Sequence, residues 1–169
     1  MGVKILLRGM PGVGKTTLVK RILEFLPSAC GFYTEEWREQ GKRRGFFLVT
    51  LTGKRLLLAS VKEHSPFRVG KYSVFPSAVS EALCEIRQGL IVGSVLVIDE
   101  IGKMELLCEE FRDVVKDVFM SEVSVLATAP GYRLSFVEYL ATQFAPMVLE
   151  LTPFNREQIF MEVKSAITR

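Results

Sequence analysis

Histidine occurs once, at His64, and the three cysteines, Cys30, Cys84 and Cys108, form no C-x-x-C pair. That scarcity argues against a zinc centre, and an odd, scattered set of cysteines argues against a disulfide framework. A reducing compartment, the cytoplasm, is the expected home. Asparagine also occurs once, at Asn155, which suits a heat-adapted source. No apolar run approaches the roughly 20 residues of a membrane-spanning helix, so no membrane partner is expected. The opening residues predict a strand rather than a secretory leader. Met1-Gly2 is followed at position 6 by Leu6, not by the Ser or Thr of a myristoylation signal. Neither sign of charge dominates: 22 basic side chains meet 19 acidic ones, a net charge of +3. So small a surplus gives no reason to expect nucleic acid as a partner.

What is present is an ordinary globular composition, 49% apolar and 24% charged over 169 residues, enough for one domain spanning 1–169 with a substantial core. Within it Gly9, Met10, Pro11, Gly12, Val13, Gly14, Lys15 and Thr16 spell GMPGVGKT. This satisfies G-x-x-x-x-G-K-[ST], the loop that wraps phosphates. Glycines let successive backbone N–H groups curve around an anion. Lys15 is expected to reach the β- and γ-phosphates, and Thr16 to offer its hydroxyl to Mg²⁺. The setting fits, because Val3 to Arg8 reads as a buried strand. Leu18, Val19, Ile22, Leu23 and Leu26 then recur at helical spacing until Pro27.

Downstream, Gly31 to Glu39, Gly45 to Leu51 and Arg55 to Ser60 predict a small antiparallel meander, about 31–60, inserted after the first helix. Val61 to Gly70 reads as loop. Then α/β alternation resumes, with helices over Pro76 to Gln88, ending at Gly89, and over Leu106 to Met120. Strands follow at Ser94 to Ile98, Val123 to Thr128 and Met147 to Leu151. A helix near Leu134 to Ala141 and a last one opening at Thr152-Pro153 complete the series. The expected class is α/β, a mostly parallel sheet with helices on both faces, binding ligands at the carboxyl ends of its strands.

One such end carries two carboxylates, Asp99 and Glu100, after Val95-Leu96-Val97-Ile98. Asp99 is the expected second Mg²⁺ residue, acting through a water. Glu100 can orient or deprotonate an attacking water. A carboxylate aimed at water favours hydrolysis over transfer, and the guanine-reading N-K-x-D string is absent. Two alternatives stay open. One is a small nucleotide or metabolite kinase, since the loop also resembles that of adenylate kinases, although no Arg-rich lid segment is found. The other is a nucleotide switch or partner-activated ATPase.

Asp99 to Leu106 reads DEIGKMEL. Together with GMPGVGKTT, it resembles the THEP-type nucleoside-triphosphatases, the family that includes the cancer-related nucleoside-triphosphatase. Gly31-Phe32-Tyr33-Thr34, Arg44-Gly45-Phe46, Val69-Gly70-Lys71-Tyr72 and Thr152-x-x-Asn155-Arg156 extend the likeness over nearly the whole chain, with Cys108 standing where Ser is expected. The resemblance implies a P-loop NTPase fold. It implies Mg²⁺-dependent hydrolysis of nucleoside triphosphates to diphosphate and phosphate with loose choice of base. It also implies nucleotide contacts from Gly9 to Thr16 and from Asp99, Glu100, Ile101 and Gly102.

Secondary candidates are Lys103 and Glu105, which can touch phosphate or water or else pair with each other, and Asn155 with Arg156 at a helix start. Arg38 and Arg44 can supply transition-state charge if their hairpin folds over the site. The basic stretch Arg38 to Arg44 otherwise reads as a solvated hairpin tip. Phe46 is expected in the core, with Phe32, Phe47, Phe111, Phe119 and Phe160.

Overall fold

The computed structural model describes residues 1–169. In chain order the elements are β1 (Lys4–Gly9), α1 (Lys15–Leu23), β2 (Ala29–Glu39), β3 (Lys42–Thr50), β4 (Arg55–Ser60), β5 (Phe67–Val69) and β6 (Tyr72–Val74). They continue with α2 (Pro76–Val92), β7 (Val95–Ile98), α3 (Phe111–Met120), β8 (Val125–Pro130), α4 (Ser135–Phe144), β9 (Met147–Glu150) and α5 (Arg156–Ile167).

Side-chain alternation along the central strands builds two cores. Ile5 and Leu7 of β1, Val97 of β7 and Leu126 of β8 face one side, where α1 and α5 supply Leu18, Val19, Ile22, Ile159, Phe160 and Val163. Leu6, Leu96, Ile98, Val125 and Ala127 face the other, against Val79 and Leu83 of α2, Phe111 and Val115 of α3 and Leu140 of α4. A strand covered on both faces must be apolar throughout, which is why these runs carry almost no polar residues.

The sheet order is β5-β6-β4-β3-β2-β7-β8-β1-β9. From β2 to β9 neighbours are parallel, and from β2 out to β5 they are antiparallel. β8 lies between the strand of the phosphate loop and the strand of the carboxylates. Ile98 stands opposite Ala127 and Leu7 opposite Thr128. Thr128 therefore lies level with the end of β7, one strand from β1.

Five details differ from the sequence reading. The antiparallel strands are a continuation of the main sheet, with β2 pairing to β7 through Ala29–Phe32 and to β3 along its length. The segment read as loop contains β5, and β6 follows it. Strands of three residues fall below the length at which alternation shows. Gly89 does not end α2. It sits inside the helix because a Cβ there would lie 2.3 Å from Leu96 Cδ2 and 2.8 Å from Cys30 Cβ, and Gly93, at φ 74°, makes the left-handed cap. The helix expected over Leu106 to Met120 is divided: a 3₁₀ turn over Glu105–Leu107 precedes an extended Cys108, and α3 begins at Phe111. The last helix starts at Arg156, because Thr152 to Asn155 form a turn in which Asn155 Oδ1 accepts from Thr152 N at 2.7 Å.

Candidate functional site

The loop after β1 enters α1 through Gly14, whose φ of 109° lies in the left-handed region. No side chain caps this helix and no acidic residue occupies its first turn. The free N–H groups and the positive end of the helix thus remain available to an anion. Gly9 has no room for a side chain, since a Cβ would lie 2.7 Å from Val13 Cγ1. Val13 is buried and Met10 is 62% exposed, so the two apolar residues of the motif play opposite parts, anchor and rim.

Lys15 folds back over this loop. Its Nζ donates to Gly9 O and lies 3.2 Å from Glu100 Oε2. Asp99 is held from both sides: Thr16 Oγ1 donates to Oδ2 at 2.6 Å and Thr128 Oγ1 to Oδ1 at 2.6 Å. Burial pushes its carboxyl above the ordinary range, opposed by those two hydroxyls, the Thr34 backbone and the Lys15 charge. Burial raises Glu100 as well, with the Asp99 charge adding to it and Lys15 opposing. Its side chain remains 28% exposed, so water reaches it.

Beyond these lies Glu105, only 4% exposed, whose Oε1 accepts from Gly102 N at 3.1 Å. Burial first, then the charges of Glu100 and Asp99, push it up to about 8. It therefore stands as a neutral acid at pH 7, and an ion pair between Lys103 and Glu105 does not form. Lys103 instead stands 4.9 Å from the centre of the Tyr132 ring.

These groups open on a cavity of about 800 Å³. Pro11, Gly12, Gly14, Lys15, Thr16, Asp99, Glu100, Lys103 and Glu105 line it, so most of the residues singled out from the sequence meet there. Ile101 and Gly102 act from behind: Ile101 N donates to Thr128 O at 2.8 Å and Gly102 N fixes Glu105. Arg156 Nε donates to Val13 O at 2.9 Å, which places its guanidinium against the phosphate loop. Asn155 is spent on its own turn, bonding Thr152 N and Glu150 O.

Arg44 and Arg38 do not line the cavity. Arg38 stays at the hairpin tip on Glu36 and Gly41 O. Arg43 lines it instead, because β3 carries an extra residue at Arg44, and this bulge brings Arg43 to the same side as Phe46. Phe46 is likewise a cavity wall and not a sealed core residue. Thr128 was not foreseen, although a hydroxyl inside the fully buried strand Val125–Pro130 is itself a signal of a buried acceptor nearby.

A family model described as NTPase matches residues 4–164. The chain is 43% identical over 166 residues to the nucleoside-triphosphatase THEP1 of Thermotoga sp. (strain RQ2), covering 98% of this chain and 95% of that one. It is 38% identical to the cancer-related nucleoside-triphosphatase homolog of Bos taurus, covering 96% and 95%. The crystal structure of THEP1 from Aquifex aeolicus superposes with a TM-score of 0.91 at 37% identity, over 99% of this chain and all of that one. The solution structure of a human cancer-related nucleoside triphosphatase gives 0.81 at 34% identity, over 97% and 96%.

Proposed function

This chain belongs to the NTPase family whose model spans it, and from that premise we propose that it hydrolyses nucleoside triphosphates to diphosphate and phosphate at the cavity between β1 and β7. The observation that carries the reading is the pairing of Asp99, clamped by Thr16 and Thr128, with Glu100, held beside Lys15 and open to water.

The donor set fits Mg²⁺. Thr16 Oγ1 and Asp99 Oδ2 are hard oxygen ligands 2.6 Å apart, and no cluster of three or more His, Cys, Asp or Glu stands ready to enclose a metal. Such a site leaves the remaining positions to phosphate and water, as Mg²⁺ prefers. When bound, the ion would draw charge from the β- and γ-phosphate oxygens.

The chain's own residues do the rest. The backbone N–H groups from Gly12 to Thr16 seat the phosphates. Lys15 exchanges Gly9 O and Glu100 for phosphate oxygens, and Glu100, released from that ion pair, takes the proton of the water in line with the γ-phosphate. A carboxyl raised by burial is a better proton acceptor near neutral pH than an ordinary one. Arg156, anchored on Val13 O, stiffens the loop and adds positive charge next to it. The guanine-reading N-K-x-D string is absent, so no side chain is committed to a guanine edge. Selection among bases is therefore weak.

The test is phosphate release from ATP, GTP, CTP and UTP side by side at matched Mg²⁺. Specificity constants should fall within roughly a hundredfold of one another, the range open to a pocket without committed hydrogen bonds. A preference of several thousandfold for one base would contradict the loose-pocket reading. No release without an added acceptor would contradict hydrolysis itself.

A further inference from the structure

Only part of the cavity belongs to the phosphates. The order of strands along the carboxyl edge runs from β1, with the phosphate loop, through β8 and β7, with Asp99 and Glu100, to β2, β3, β4 and β6. The γ-phosphate end of the triphosphate is fixed by Lys15 and by the Thr16–Asp99 pair. Everything beyond Glu100 therefore lies past the γ-phosphate, on the side away from the nucleoside. That far half is walled by Phe46 of β3, Leu58 of β4, and Val69 and Tyr72 at the turn between β5 and β6. Phe46 and Tyr72 meet edge to face with ring centres 5.4 Å apart.

Two cations stand over these rings. The Arg43 guanidinium is 5.3 Å from the Phe46 centroid and Lys71 Nζ is 5.5 Å from the Tyr72 centroid. Arg43 gives Nη2 to Glu36 at 2.7 Å, but its Nε is buried with no hydrogen-bond partner. Four buried side-chain nitrogen and oxygen atoms lack partners, on Arg8, Arg43, Arg44 and Glu85, and Arg43 alone among these residues lines the cavity. The Arg43 Nε is closed to solvent, so what Arg43 offers the cavity is its guanidinium charge.

The geometry points to a second ligand site in this antiparallel half, for a small molecule that joins a planar ring to a phosphate, the chemistry of a nucleoside monophosphate. The ring lies against Phe46 and Tyr72, and the phosphate takes the charges of the Arg43 guanidinium and the Lys71 ammonium. The assignment rests on the triphosphate being seated as proposed above. A ligand there narrows the approach of water to Glu100, so phosphate release slows as the site fills.

The test is calorimetric titration of AMP into protein already saturated with Mg²⁺ and the non-hydrolysable analogue AMPPNP, with ribose 5-phosphate as a ringless control. One further equivalent of AMP should bind, and ribose 5-phosphate should bind at least tenfold more weakly. Arg43→Met and the cavity-filling Val69→Trp should each weaken AMP at least tenfold, the scale of a lost charge-assisted hydrogen bond. AMPPNP affinity should be unchanged in both variants, which also shows that they fold. AMP should lower kcat at saturating ATP. Failure of AMP to bind the saturated protein, displacement of AMPPNP by AMP, or equal binding of ribose 5-phosphate would overturn the second site. Failure of AMPPNP itself to bind would instead overturn the seating of the triphosphate.

Discussion

Between β1 and β7 the polar groups are satisfied by one another: both oxygens of Asp99 accept hydroxyl hydrogens, and Lys15 lies against a loop carbonyl and Glu100. In the antiparallel wing an aromatic pair and two cations line an open cavity. The first region is organised in advance for a charge of fixed shape. The second presents an apolar wall and two cations to open space. Preorganised donors around a developing charge are worth more than mobile ones, because they need no rearrangement when the reaction occurs. On the proposed reading the chemistry is concentrated at β1 and β7, and the wing contributes recognition.

The sharpest way to break this contrast is Lys15→Ala. It removes the cation that the motif itself carries to the β- and γ-phosphates, and phosphate release should fall nearly to background while the melting profile stays cooperative. A folded variant with full activity would remove the basis for placing the phosphates here. Thr128→Val probes the same region more gently. It leaves Asp99 Oδ1 unpaired at full burial, and the loss of such a bond costs about 1–3 kcal/mol. Denaturant midpoints should fall accordingly, and more Mg²⁺ should be required for half-maximal activity, since the carboxyl is pushed further toward its neutral form. A variant as stable as the parent would mean that the hydroxyl pair does not hold Asp99.

A smaller effect distinguishes Glu105. In the folded chain it holds its proton up to about pH 8, whereas an unfolded Glu releases it near about pH 4.3. Stability from this group is therefore fully present below that lower value and is lost progressively as pH rises to about 8. Glu105→Gln keeps an acceptor for Gly102 N and carries no titrating proton, so the decline in urea midpoint between pH 5 and pH 8 should flatten. An unchanged slope would mean that Glu105 is charged in the folded state.

The same contrast decides what could be read from the sequence. Gly9 to Thr16 and Asp99-Glu100 were legible because the chemistry is met by neighbours in the chain: a glycine-lined turn running into a helix, and a carboxylate at a strand end. The two-faced core was legible for the same local reason, through alternation along β1, β7 and β8. The wing was not. Phe46, Leu58, Tyr72 and Arg43 come from separate strands, and only the pairing of those strands makes them neighbours. Arg43 and Arg44 are also indistinguishable until the bulge in β3, where Arg44 has no partner opposite Trp37 and Arg38, settles which one faces inward. Thr128 belongs with the wing in this respect, since it reaches Asp99 only through the placement of β8 between β1 and β7.

The central claim is that Glu100 acts on water and not on binding. The direct measurement is phosphate release and Mg²⁺–nucleotide affinity in the same preparation of Glu100→Gln. The substitution keeps the shape and removes the proton acceptor. Turnover should fall by about 10²- to 10⁴-fold, the usual contribution of a positioned general base, with affinity within a few-fold of the parent. The acid limb of the parent's rate profile, on which activity rises with pH as the burial-raised carboxyl loses its proton, should vanish with it. Unchanged turnover with altered affinity would show Glu100 to be a structural partner of Lys15 and would contradict the account.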